Sequence, residues 1–303
     1  MSLEQDIIPP LLVENTDVRT SAKPWAQAFN DFTNLTLHPP TKHAFDNVFG
    51  PMLLDDTNRI AQPVAQAPPT AEIVKNEADA VRLFHKQVSG VVTSYFTSMP
   101  LVKELDQSGP LGNTSFGGFV DTQFFQVPTQ ELLAIGEHKA PGIIDSEWSP
   151  AGQTTKSRNL SRELRGYAYH YKCPQVFCYD GVRMLIVRLR ANDREDIKRC
   201  NGDMFVIPII AGPGGIPIRY ALYRLMVDGL HRIMAATAPP VMILPYTRRF
   251  YWFSGECYWV DGSNTKYSSV PGVVRMPIQQ QTGKWQWAWM NQSVFAGWCS
   301  DFF

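Results

Sequence analysis

The chain has 303 residues, 44% of them apolar and 12% aromatic, enough to bury a substantial core in one large domain or two modest ones. Charged residues make up 18% and cancel to a formal net charge of zero, which rules out a globally basic nucleic-acid coat while leaving room for a local basic groove. The 5 cysteines show no C-x-x-C spacing, which argues against a disulfide framework or zinc site and for a reducing compartment.

The opening segment, Met1 to Asp6, lacks the basic region and apolar run of a secretory signal. No stretch of about 18 uncharged apolar residues occurs, so no membrane span is expected. An intracellular protein, cytoplasmic or nuclear, is the expectation. Residues 1–60 carry prolines at 9, 10, 24, 39, 40 and 51, and residues 1–70 read as an N-terminal arm with a short helix around Trp25–Phe32. The arm ends in a stiff Pro/Ala/Gln linker from Ala61 to Thr70.

Thr70 is expected to open a long helix over 71–98, with Ile73, Val81, Phe84, Val88, Val91 and Tyr95 at helical spacing. Glu77 falls on that stripe where an apolar residue is expected. A carboxylate on a core-facing stripe needs a partner, because burying it alone is very costly. A metal ion or Lys139 would be that partner, and Glu72 beside the stripe is a second candidate. If the helix register is shifted, Glu77 is simply solvated.

Residues 107–118 read as a loop leading into two apolar strands, Phe119–Phe125 and Leu132–Ala140, joined by a turn around Pro128–Gln130. Folded as a hairpin, Asp121 lies opposite Glu137. Side chains alternate along a strand, so Glu137 and Lys139 share a face while His138 points the other way, into the core or a second layer. Pro141–Ser157 is a long irregular stretch of lid-like length. A helix over 159–172 follows, with Leu160, Leu164, Tyr167 and Tyr171 on one face and Arg158, Arg162 and Arg165 on another.

Gln175–Tyr179, the Asp180-Gly181 turn and Val182–Leu189 form a second tight hairpin. Alternating helices and hairpins predict an α/β core with a mixed sheet. Residues 71–199 are taken as that core and 200–303 as an α+β extension packed on it. In the extension, Phe205–Ile210, Val241–Leu244 and Phe250–Val260 read as strands and Tyr220–Met234 as a helix, while Ala211–Ile216 is a turn without the ending of a phosphate loop. Trp285, Trp287, Trp289 and Trp298 near the end suit a core edge or an interface with a protein partner or second copy, with base stacking as the other use.

Two carboxylates across a strand pair suit Mg2+ or Mn2+, which take oxygen ligands and retain waters, and an adjacent lysine suits phosphoryl chemistry. A plain salt bridge of Lys139 with Asp121 or Glu137 on an exposed sheet face is the simpler alternative. The order acidic helix, Val120-Asp121, then Glu137-His138-Lys139 in an apolar strand resembles the PD-(D/E)XK nuclease superfamily. Ile135-Gly-Glu-His-Lys-Ala-Pro141 is similar to the motif of its fungal-type members.

The resemblance spans about residues 71–190 and implies a restriction-endonuclease-like αβββαβ core, a central mixed sheet flanked by helices. It implies Asp121, Glu137 and the backbone carbonyl of His138 as metal ligands, Lys139 as the catalytic lysine, and Glu77 in support. The substrate it implies is nucleic acid, DNA ahead of RNA; beside it, the stripe of Arg158, Arg162 and Arg165 reads as a phosphate track or as an ordinary solvated face. A catalytically inactive module of the same fold, used for binding, is the alternative function. Val120 stands where the name-giving proline would be, and the later helix offers arginines where such helices often carry a glutamine.

Overall fold

A computed structural model describes most of the chain. Outside the described residues lie 1–2, 5–6, 8, 11, 14–21, 51, 53, 62–71, 97–100, 110–115, 128, 145–147, 149–153, 239, 282, 284 and 299–303. The linker expected over 61–70 and the helix start expected at Thr70 thus fall almost wholly outside it.

In chain order the strands are β1 (Leu12–Val13), β2 (Leu35–His38), β3 (Ile73–Val74), β4 (Val102–Ser108), β5 (Val120–Gln126), β6 (Leu132–His138), β7 (Gln175–Tyr179), β8 (Arg183–Leu189) and β9 (Gly202–Pro208). Then come β10 (Met242–Ile243), β11 (Tyr246–Phe250), β12 (Cys257–Val260), β13 (Lys266–Tyr267), β14 (Val273–Gln279), β15 (Trp285–Asn291) and β16 (Val294–Trp298). The helices are α1 (Lys42–Phe49), α2 (Leu54–Ile60), α3 (Glu77–Phe84), α4 (Gly90–Thr93), α5 (Thr155–Tyr171) and α6 (Ile218–Thr237).

A central mixed sheet of 7 strands runs β2-β9-β8-β7-β6-β5-β4. Pairs β2/β9 and β6/β7 are parallel and the rest antiparallel. Helix α5 makes the crossover between β6 and β7, because parallel neighbours need a long connection. From α3 to β7 the order of elements is helix, three strands, helix, strand. The sheet also takes β2 from the N-terminal arm and β9 from the C-terminal third, so it crosses the boundaries expected near 70 and 199.

Both faces of the sheet are covered, which is why its central strands read as continuous apolar runs. One face packs Phe84, Val88 and Val92 and the α6 residues Leu222, Met226 and Leu230 against Phe124, Phe177 and Phe205. The other packs Phe32, Leu160, Leu164 and Tyr167 against Ile135, Val176, Leu185 and Val187. Helix α6 is buried nearly all round and is tied to the sheet by polar groups: Arg188 pairs with Asp228 at 3.0 Å, and Gln175 Nε2 donates to Asp228 Oδ2 at 2.8 Å.

At Gly229 the approach is so close that a Cβ would stand 1.9 Å from the Leu133 carbonyl oxygen on β6. Backbone cannot rotate aside, so Gly229→Ala should lower stability in chemical denaturation by about 1–3 kcal/mol through forced displacement of α6.

The expected elements needed several corrections. The helix begins at Glu77, capped by Asn76, whose side chain accepts from the Asp79 amide at 3.0 Å. Ile73 stands before it in β3 and is exposed. A π turn at His85–Ser89 interrupts the helix; Phe84, Val88, Val91 and Tyr95 are buried as expected, while before the turn Ala80 and Leu83 are buried in place of exposed Ile73 and half-buried Val81. The strand β4 is unexpected: only its last two residues fall in the segment taken as a loop, and the charged residues Lys103, Glu104 and Asp106 hid the rest. The single strand expected over Phe250–Val260 is two strands, β11 and β12, separated by a turn. Among the described residues no helix is long and apolar enough to cross a membrane.

Candidate metal and phosphate site

The hairpin register puts Thr122 opposite Gly136, Gln123 opposite Ile135 and Phe124 opposite Ala134, so Asp121 comes to the level of Glu137 as expected. Asp121 Oδ2 accepts from the His138 amide at 2.7 Å. Glu137 is buried, and its Oε1 is bonded by Lys139 Nζ. Its other oxygen, Oε2, is buried without a hydrogen-bond partner among the described residues. Asp121, Glu137 and Lys139 are therefore together on one face.

The sequence reading missed a fourth member of the cluster. Glu163 on α5 is 3% exposed, with its Oε1 4.0 Å from Lys139 Nζ and 3.7 Å from Lys23 Nζ of the N-terminal arm. Tyr167 donates to the same oxygen at 3.2 Å. The signal was present: Glu163 sits three residues after Leu160 and four before Tyr167, on the apolar face of α5, the same anomaly sought at Glu77. Lys23 had no signal, since only the fold brings the arm to α5.

Glu77 lies in the first turn of α3 and is exposed as a residue, not on a core stripe. Its carboxyl is nonetheless raised in pKa by desolvation, against the pull of Lys139, with Asp121 and Glu163 adding repulsion. Glu72 takes no part; it pairs with Arg82 at 2.9 Å and Lys86 at 2.7 Å.

Burial raises the pKa of Asp121, opposed by the His138 amide and Lys139. Burial raises Glu137 well above the ordinary carboxyl range, opposed by Lys139 and reinforced by Asp121 and Glu163. Burial alone would lower Lys139, but Glu137 and Glu163 beside it raise it decisively. Lys139 is thus a fixed ammonium, suited to stabilising charge and unsuited to removing a proton.

Glu77, Asp121, Glu137 and Glu163 face Lys139 and Lys23, so the carboxylates outnumber the ammonium groups by two. Fully ionised, that excess equals the charge of one divalent cation, and such an ion would drive off the proton that burial favours on Glu137.

Because the three raised carboxyls hold protons more tightly folded than unfolded, their contribution to stability is present at acid pH and lost as pH rises through their folded values. The metal-free protein should therefore lose stability relative to Glu137→Gln as pH rises above the ordinary carboxyl range, read as the difference in thermal midpoint. Mn2+ binding should displace protons, visible as a dependence of calorimetric heat on buffer ionisation enthalpy.

His138 points to the opposite sheet face, as expected. It is buried, its Nε2 bonded to Thr122 Oγ1 at 3.0 Å, and burial with the charges of His85 and Lys139 lowers its pKa to about 3. The loop after Lys139 is anchored by Asp180, which accepts from the amides of Gly142, Ile144, Val182 and Arg183. His170 stacks on Phe116 at 3.7 Å between centroids.

The arginine track does not survive as expected. Arg165 is fully buried, donating to the Ile197 and Cys200 carbonyls at 2.8 and 3.0 Å and to Asn34 Oδ1 at 2.9 Å. Arg162 donates to Gln27 at 2.9 Å. Arg158 is exposed, with Asp31 at 3.6 Å. Of the tail tryptophans, Trp289 packs edge-on against buried Trp259 at 5.5 Å, while the side chains of Trp285, Trp287 and Trp298 lie outside the described residues. No protein-family model, curated protein or solved structure matches the chain.

Proposed function

We propose that the chain is a divalent-metal-dependent nuclease of the PD-(D/E)XK type, acting on phosphodiester bonds of DNA in preference to RNA. The observation that carries this reading is the buried carboxylate cluster around one fixed ammonium, with Glu137 Oε2 lacking a partner. The order helix, three strands, helix, strand around it supports the same reading. So does the hairpin register that brings Asp121 to Glu137.

Mg2+ or Mn2+ held by Asp121, Glu137 and the His138 carbonyl would polarise a phosphoryl oxygen and acidify a bound water. The protein's own part is positional and electrostatic. Asp121 is oriented by the His138 amide. Lys139, held between Glu137 and Glu163, presents a permanent positive charge to the charge that develops on phosphate. Glu77 lines the approach from α3, and Arg158 is the arginine of α5 left free enough to touch a phosphate backbone.

Purified protein incubated with DNA or RNA and Mg2+ or Mn2+ tests the assignment, and an absence of metal-dependent cleavage of either polymer would remove it. A second reading, a catalytically inactive module that binds a nucleic-acid or protein partner, is favoured by one observation. Val274, Met276, Val294 and Phe295 on the C-terminal sheet β14-β15-β16 are exposed apolar side chains, as an interface with a partner or second copy would require. Calorimetry separates the two: the module requires no Mn2+ binding at Asp121 and Glu137.

A further inference from the structure

A second group of metal-binding side chains stands on the other face of the sheet. His85 in the π turn after α3 faces Glu104 and Asp106 on the edge strand β4, and one ligand atom from each falls within 4.8 Å of the others. His85 Nδ1 is 3.0 Å from Glu104 Oε1, and Nε2 is 3.7 Å from Asp106 Oδ1. Glu104 and Asp106 pair with Phe124 and Thr122 of β5. They therefore share the face occupied by Phe124 and His138, whereas Asp121 and Glu137 alternate to the face of α5.

Two features suit a cation here. Glu104 Oε1 is shielded from solvent and stands 3.0 Å from His85 Nδ1, a contact that attracts a proton in the metal-free chain and raises the His85 pKa. The same separation suits two ligands of one ion, since neighbouring ligands about 2.1 Å from an octahedral ion stand about 3 Å apart, and a bound cation would displace that proton. The second feature is the neighbouring imidazole. His138 is fully buried, its ring centroid 6.0 Å from that of His85, and its Nδ1 has no hydrogen-bond partner among the described residues. Ser89 Oγ is a further polar neighbour, 3.4 Å from His85 Nδ1.

We infer that His85, Glu104 and Asp106 form a second divalent-cation site, separate from the Asp121/Glu137 cluster and not dependent on the nuclease reading. One imidazole with two carboxylates suits Zn2+, Co2+ or Mn2+ better than Mg2+, because imidazole is a softer ligand than Mg2+ accepts readily. The site joins the π turn to the edge strand, so the ion would clamp the helix that carries Glu77 against β4. A π turn inside an α-helix is uncommon and often marks a functional position; here it is the element that brings His85 to β4.

The test is titration of the metal-stripped full chain with Co2+ alone, followed by calorimetry and visible absorption, for wild type, His85→Ala, Glu104→Gln and Asp121→Asn. Glu104→Gln is nearly isosteric on a partly exposed edge strand, and far-UV circular dichroism checks its fold. Expected is a Co2+ site lost or weakened at least about tenfold in His85→Ala and Glu104→Gln and retained in Asp121→Asn. A hyperfine-shifted exchangeable imidazole proton should be present in wild type and absent in His85→Ala.

Unchanged Co2+ affinity and stoichiometry in both His85→Ala and Glu104→Gln overturn the inference, as does a wild type whose entire Co2+ binding disappears in Asp121→Asn. Failure of the nuclease reading has a different signature: Asp121→Asn then binds as wild type does, while the His85 variant still loses its ion.

Discussion

Glu137→Gln should abolish tight Mn2+ binding at the hairpin and reduce metal-dependent DNA cleavage by roughly 100- to 1,000-fold, the loss seen when a preorganised charge-stabilising group is removed. Lys139→Ala should reduce cleavage on the same scale while leaving Mn2+ binding intact or tighter. The split follows from the geometry. Lys139 Nζ bonds Glu137 Oε1 and stands 4.0 Å from Glu163 Oε1, so it competes with a cation for the same carboxylates. Removing it leaves Glu137, already lifted in pKa by burial, with one less positive neighbour.

A purely structural Glu137–Lys139 salt bridge makes a different prediction: both variants lose stability and neither alters metal binding, because a buried pair broken from either side leaves an uncompensated charge. Single-turnover cleavage and calorimetry on the two variants, with thermal midpoints recorded alongside, decide between these outcomes. Equal cleavage by wild type and both variants would end the catalytic assignment of the site.

The largest stability effect should come from Arg165. Its guanidinium is wholly buried beside the Phe32 ring, 5.5 Å from the centroid. It satisfies the Ile197 and Cys200 carbonyls and Asn34 Oδ1, joining α5 to the 3-10 turn at Glu195–Lys198 and to the N-terminal arm. Arg165→Ala strands these acceptors and opens a cavity, and should cost about 3–5 kcal/mol in denaturant unfolding. Arg158→Ala, at the exposed N-terminal end of the same stripe, should change stability by no more than about 0.5 kcal/mol. If Arg158 touches a phosphate backbone, that substitution weakens DNA binding and flattens its salt dependence by about one counterion. An Arg165 variant that folds as stably as wild type would show that the buried bonds contribute little.

These arginines also show where sequence reading stopped. Helical spacing placed Arg158, Arg162 and Arg165 on one stripe correctly, but it carries no information on which stripe neighbouring chain covers. The 24–34 segment and the turn at 195–198 close over Arg165, and both are remote in sequence. Glu77 failed for a local reason. The Asn76 cap starts the helix six residues later than Thr70 would, which leaves Glu77 in its first turn and exposed. Glu163 was legible and overlooked, because charged residues beside arginines were read as a polar face without asking which of them fell among Leu160, Leu164 and Tyr167.

The hairpin belongs to what the sequence by itself determined. Two apolar strands, a short turn and period-two alternation are enough to bring Asp121 level with Glu137, to put Lys139 on the same face and to send His138 into the core. Local rules of that kind also specify α5, α6 and the Asp180-Gly181 turn. Only the tertiary structure decided what surrounds the hairpin. Glu163 from α5, Lys23 from the arm, Glu77 from the start of α3 and the His85 cluster behind β4 meet across long separations in the chain. Their proximity follows from packing both faces of one sheet, and no periodicity within a single segment encodes it. The excess of two carboxyl groups over ammonium groups at the site is thus a property of the fold, although every residue that makes it is plain in the sequence.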